Sequence, residues 1–403
     1  MTAVAEPEAA TAEVVPDARQ RTHWLDGVRG AAALFVVLHH MWLGSWPFFP
    51  EDRGPVWLGW LLYGHLAVAV FIVVSGYSLA LAPLRHGGEL VGGLRRFIRR
   101  RAWRILPAYW AALVLSMLLF VTLIEPSTGA GTATKSFVVH GLLLQDVIGN
   151  VAPNGTFWSI AIEWQIYFLF PVMLLLALRF GMVRVVLLTA GIVLVAHLLA
   201  GTDTVLSKIN NVSPQFLLLF ALGVLAAWTA HGRAPRPPRW ALAGVAGASA
   251  AGLVTLAVAQ GSPWMVGHWF WVDVIAGTGF AALLLLLSDS RSPVRDRTLG
   301  SRPAVFLGSF SYSLYLIHGP LLALAEEHVV EPLDLSPLAH FAVLLVLVLP
   351  VVLVACYAFF RLFERPFLTR RDFASLRTLP AWTLVAGRGR KRAAAGEELP
   401  VYR

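Results

Sequence analysis

Charge is what this chain of 403 residues has least of. Only 14% of its residues are Asp, Glu, Lys or Arg, against about 25% in soluble domains. Apolar residues take their place, at 57% of the chain with a mean hydropathy of +0.68. A water-soluble enzyme is excluded. Cysteine is nearly absent too: the single Cys356, set in an apolar run, leaves no intramolecular disulfide and no Cys metal cluster, and is a poor nucleophile. No His, Cys, Asp and Glu cluster has ligand spacing, so no metal site is expected. Residues 1–23 lack the basic start and apolar core of a signal peptide and are expected to be a disordered tail. No internal repeat is visible.

What is present is a series of long apolar runs, of the length that a hydrocarbon core of ~30 Å demands of a spanning helix. Ten segments qualify: 27–45, 57–82, 105–124, 158–178, 183–200, 214–230, 240–259, 268–288, 305–324 and 338–360. They predict an all-α polytopic helical bundle over residues 24–367. The basic residues then sort themselves. With the N-terminus inside, the outer loops hold only Arg53, Lys135 and Lys208 of the 32 Lys and Arg, as cytoplasmic retention of basic loops requires. Both termini are thereby expected in the cytoplasm, the second as a basic tail over 368–403 carrying Arg388, Arg390, Lys391 and Arg392. The net charge of +9 is an orientation signal, and nucleic-acid binding loses its support. The connection 125–157 contains a short apolar stretch, Phe137 to Leu144, expected as a re-entrant or surface helix.

Ionisable groups inside spans are costly and mark function or a buried partner. Arg29 and His40 are eleven residues apart, about three turns, which stacks them on one helix face. A snorkelling Arg and an interhelical His hydrogen bond are the bland alternative. Arg95, Arg96, Arg99, Arg100, Arg101 and Arg104 cluster before the third segment. They serve topology, or bind a phosphate-bearing donor through the planar guanidinium fork. Ser159, Glu163 and Tyr167 share one face of the fourth segment, and Ser311, Tyr315 and His318 one stripe of the ninth. Counting residues from the span ends puts His40, His318, Glu163, Asp273 and His65 in the outer half of the membrane, with Arg29 and the Arg101 cluster at the inner face.

These residues, taken in order, resemble the acyltransferase-3 family of integral membrane acyltransferases. Arg29 and His40 are similar to its Arg-x10-His signature; Phe71-Ile72-Val73-Val74-Ser75-Gly76-Tyr77 to its Phe-Phe-x-x-Ser-Gly-aromatic segment, with Ile72 in place of an aromatic; and Arg101-Ala102-Trp103-Arg104 to its Arg-x-x-Arg loop. Trp158 to Tyr167, Ser311 to His318 and Phe363-Glu364-Arg365-Pro366 follow in the same order. The resemblance implies transfer of an acyl group, acetyl above all, from cytosolic acyl-CoA, a substrate rather than a bound cofactor, to a hydroxyl of a carbohydrate, glycolipid or small-molecule acceptor of the cell envelope or of secondary metabolism. Arg29, Arg101 and Arg104 would engage the donor and His40 the acceptor hydroxyl. His39 departs from the pattern, standing where an aromatic is usual, and no second domain is expected in the residues after Arg361. The expected assignment is His40 as general base, Glu163 to orient an imidazole or hold acceptor hydroxyls, His318 as second base, and Arg29, Arg101, Arg104, Ser75 and Tyr315 as substrate-binding groups. A proton-coupled secondary transporter using the same buried His and Glu residues is the rival reading.

Overall fold

The computed structural model describes residues 23–124, 129–149, 151–200, 213–289 and 292–369. The expected tail over 1–22, the outer-loop Lys208 and the basic tail beyond residue 369 lie outside these residues. Every predicted apolar segment falls on helix, and no strand occurs among the described residues. The chain runs through α1 (His23–Ser45), a 3-10 turn (Val56–Tyr63), α2 (Leu66–Arg85), α3 (Gly93–Leu119), α4 (Ala130–Gly141) and α5 (Gln145–Ile148). Then follow α6 (Phe157–Phe180), α7 (Met182–Ala200), α8 (Gln215–Ala230), α9 (Arg239–Gly267) and α10 (Trp269–Leu287). The last part holds α11 (Pro293–Thr298), α12 (Arg302–Ser309), α13 (Ser311–Ala325), α14 (Pro337–Val343), α15 (Leu349–Phe359) and α16 (Arg365–Thr369).

Among the described residues, seven helices are long and apolar enough to cross a membrane, or eight if α12 and the bent continuation from α13 count as one span. The ten sequence segments include two that fall outside that set: α1, which carries Asp26, Arg29, His39 and His40, and α8, only 16 residues long. Outward faces are apolar, with Leu187, Val258 and Val354 all well exposed, which suits a lipid surround and not water. Residues 57–82 are not one helix, because the chain breaks at Gly64 and His65 between the 3-10 turn and α2. The expected surface helix is α4, tied down where the Tyr109 hydroxyl donates to the His140 carbonyl and Ser136 donates to that of Val151.

In lipid, apolar side chains gain little by meeting one another, so helices associate by close backbone approach and interhelical hydrogen bonds. Two contacts of this kind set the centre of the bundle. Gly30 of α1 lies against the backbone of Gly308 in α12, where a side chain would overlap. Gly76 of α2 faces the Phe220 carbonyl of α8 while Gly223 of α8 faces the Val73 carbonyl of α2, a reciprocal pair. Thus α1 packs against α2, α12, α13 and α14, and α2 against α8 and α10. At the edge, α9 leans on α10 with only 6% of its apolar stretch buried.

Candidate active site

Among the described residues, the sequence-predicted residues divide between a larger and a smaller cavity that lie between these helices. The larger, about 390 Å³, is lined by Arg29, Ser75, Arg101, Arg104, Glu163 and Tyr315, together with Asp26, Ser78, Tyr167 and Glu364. The smaller, about 100 Å³, is lined by His39, His40, His65, Thr156, Trp158 and again Tyr315. Val68 and Tyr315 belong to both walls.

In the arginine chamber every carboxylate is held. The Arg29 guanidinium donates from one terminal nitrogen to Asp26 at 2.7 Å and from the other to the Ser78 hydroxyl at 2.7 Å. Glu163 accepts from Ser75 at 2.6 Å and from the Tyr167 hydroxyl one turn along α6. Glu364, buried, accepts from both the hydroxyl and the backbone N–H of Ser313. Two cations are left with capacity. Arg101 lies 5.9 Å over the Tyr167 ring and its buried Nε has no hydrogen-bond partner among the described residues. Arg104, exposed, makes no hydrogen bond or ion pair with them. An unpartnered, buried guanidinium N–H is costly, and an oxyanion removes that cost.

In the histidine chamber the ring hydrogen bonds fix the tautomers. His318, fully buried on α13, donates from Nδ1 to the Leu314 carbonyl at 2.8 Å, so its Nε2 carries the lone pair. That Nε2 faces His40 Nδ1 at 3.3 Å, and the same Nδ1 lies 2.9 Å from the Val36 carbonyl. With acceptors on both sides, His40 Nδ1 carries the proton and Nε2 is left with a free lone pair. His39, on the same wall, donates from Nδ1 to the Leu61 carbonyl at 2.8 Å. Between the chambers, Tyr315 is tied to Ser159 at 2.6 Å.

The structure therefore brings Arg29, Ser75, Arg101, Arg104 and Glu163 together, and joins His318 to His40. It does not join Glu163 to an imidazole: Ser75 and Tyr167 occupy the carboxylate, which faces the arginine chamber and not the histidines. Counting helical rise gave depth but not direction, and α6 turns this face toward α2. Asp26, Ser78 and Tyr167 complete the arginine chamber without having been singled out as site residues. Tyr167 was visible as the third member of a four-residue repeat with Glu163, whereas nothing local marks Ser78, which meets Arg29 from another helix.

A putative peptidoglycan O-acetyltransferase, YrhL, of Bacillus subtilis is 24% identical over 328 residues, covering 75% of this chain and 48% of that protein. The acyltransferase MdmB of Streptomyces mycarofaciens is 26% identical over 316 residues, covering 73% of this chain and 77% of that one. The O-acetyltransferase OatA of Staphylococcus aureus is 23% identical over 336 residues, covering 76% and 51%. The chain thus spans about half the length of two of these relatives. No solved structure matches it. The family profile described as an acyltransferase domain matches residues 22–360, nearly the whole of the helical bundle, and the chain belongs to that acyltransferase-3 family.

Proposed function

We propose that this chain is a membrane-embedded O-acyltransferase that carries an acyl group, acetyl in the first place, from acyl-CoA to a hydroxyl of a carbohydrate, glycolipid or small molecule. The observation that supports it best is the shared wall: an anion-seeking chamber and an imidazole with a free lone pair meet at Val68 and Tyr315. Arg101 and Arg104 would hold donor phosphates, and the chamber would take the narrow pantetheine arm with its thioester pointing at Tyr315. An alcohol is a weak nucleophile and needs a base as it attacks. In this reading His40 Nε2 takes the hydroxyl proton, the oxygen adds to the thioester carbonyl, the C–S bond breaks, and the CoA sulfur leaves with the proton returned by His40. Atoms and charge balance without a metal or a resident cofactor. Arg29, bound to Asp26 and Ser78, shapes the chamber, and Glu163 holds Ser75 and Tyr167 in place.

The chain is read as a multi-pass protein of the cell membrane with about ten spans and both termini in the cytoplasm, on the side rich in Lys and Arg. The arginine chamber then opens toward cytosolic acyl-CoA, and a cell-envelope acceptor, like the peptidoglycan in the name of the Bacillus subtilis relative, suits the opposite chamber. The test is the purified chain in liposomes, given radiolabelled acetyl-CoA and an envelope fraction. Alkali-labile label on a hydroxyl, with CoA released in step, is the expected result. Solute flux with no release of CoA would overturn the reading and leave the transporter in its place.

A further inference from the structure

One buried pair remains outside that mechanism. Asp273 of α10 is completely buried, and His65, at the start of α2, holds Nε2 at 3.1 Å from its carboxylate. Gln215 of α8 donates to the same carboxylate at 3.1 Å, which fixes its orientation. The imidazole is also clamped by its faces: the Trp158 ring lies nearly parallel at 5.5 Å and the Trp269 ring at 4.2 Å. A carboxylate on Nε2 requires a proton there, and in the neutral ring Nδ1 then carries the lone pair. That nitrogen has no hydrogen-bond partner among the described residues, and its ring lines the histidine chamber together with His40. Such rigidity, supplied by three other helices, is far more than packing a half-buried side chain needs.

We infer that His65, oriented by Asp273, is an acceptor-binding residue: its Nδ1 takes a hydrogen bond from a second hydroxyl of the acceptor while His40 takes the proton of the first. The inference rests on the acyl-transfer reading and adds the class of acceptor to it, a molecule with neighbouring hydroxyls in place of a simple alcohol. A chamber of about 100 Å³ brings two imidazoles to one small fragment, so two hydroxyls on adjacent carbons can be met together. A hydroxyl whose hydrogen bond goes unmet in the site costs binding, typically about tenfold for one neutral hydrogen bond.

The probes are trans-1,2-cyclohexanediol and cyclohexanol, each offered to the detergent-purified full chain with radiolabelled acetyl-CoA. The wild type should show about a tenfold higher kcat/KM for the diol. In His65→Phe, which keeps an aromatic ring between the two indoles, the ratio should fall to about one, through KM of the diol. His65→Asn, which returns a polar atom near the position of Nδ1, should restore part of it, and a merely structural His65 would give no such ordering. Equal rates for diol and monol in the wild type, or an unchanged ratio in His65→Phe, overturn the inference alone. A wild type that acetylates neither probe and releases no CoA to water overturns the acyl-transfer reading and this inference with it.

Discussion

The two chambers are built from opposite chemistry although they share a wall. One is formed by guanidinium, carboxylate and hydroxyl groups, with Arg29 neutralised by Asp26 and Arg101 left an unmet donor. The other holds imidazoles edged by the Trp158 indole, with no Lys, Arg, Asp or Glu lining it among the described residues. The first suits a ligand that is an anion before and after reaction. The second suits one whose charge changes only during it, since a neutral imidazole can take a proton and give it back. In the proposed acyl transfer, binding and chemistry fall in separate compartments, and substitutions should separate them too.

The largest separation is expected at His40. His40→Ala should lower kcat by about 10²–10⁴-fold, with KM for acetyl-CoA little changed, as read by radiolabel transfer from a purified variant; a wild-type rate would end the assignment of the base. Arg101→Ala should do the reverse, weakening acyl-CoA binding about 10–100-fold through loss of a charged hydrogen bond while acceptor KM stays put. Arg101→Lys should recover only part of it, because an ammonium lacks the planar fork. His318→Phe should lower kcat only several-fold, since the Val36 carbonyl still holds His40 Nδ1, and the loss should appear as an altered pH profile of kcat and not in either KM. The smallest effect belongs to a residue outside both chambers. Burial pushes the Asp146 carboxyl in α5 up to about 7 from its ordinary 3.8. Its folded form thus prefers the proton, so stability is full below the unfolded value and falls as pH rises toward 7. Asp146→Asn should therefore raise the thermal midpoint at pH 8 by a few degrees at most, leave it unchanged at pH 4, and not alter either KM.

How far the sequence foretold this site follows from the range of each interaction. Arg29 and His40 were legible because one helix sets their spacing, and Glu163 with Tyr167 because four residues make one turn. The apolar runs marked nearly every helix for the same local reason. His40 and His318 are 278 positions apart and His65 and Asp273 are 208 apart, so their pairing depends on how α1 meets α13 and how α2 meets α10. Helix meetings of this kind rest on close approaches such as Gly30 of α1 on Gly308 of α12, the helix just before α13, which a hydropathy pattern does not record. Glu163 shows the cost: its depth was estimated from its helix alone, and its partner Ser75 came from the neighbouring one.

The boundary between the chambers bears on the energy supply of the cell. A membrane that stores an ion gradient tolerates no unbroken file of water, because protons run along such a file and dissipate the gradient. A route that admits a substrate from each side is exposed to that leak. Here the two cavities touch at an isopropyl group, Val68, and at a phenol ring, Tyr315, whose hydroxyl is secured by Ser159. In the proposed transfer the acceptor oxygen and the thioester carbonyl meet at that boundary, so the acyl group changes hands there while Val68 and Tyr315 still narrow the path for water. Replacing Tyr315 with a smaller side chain would then tax respiration as well as transfer.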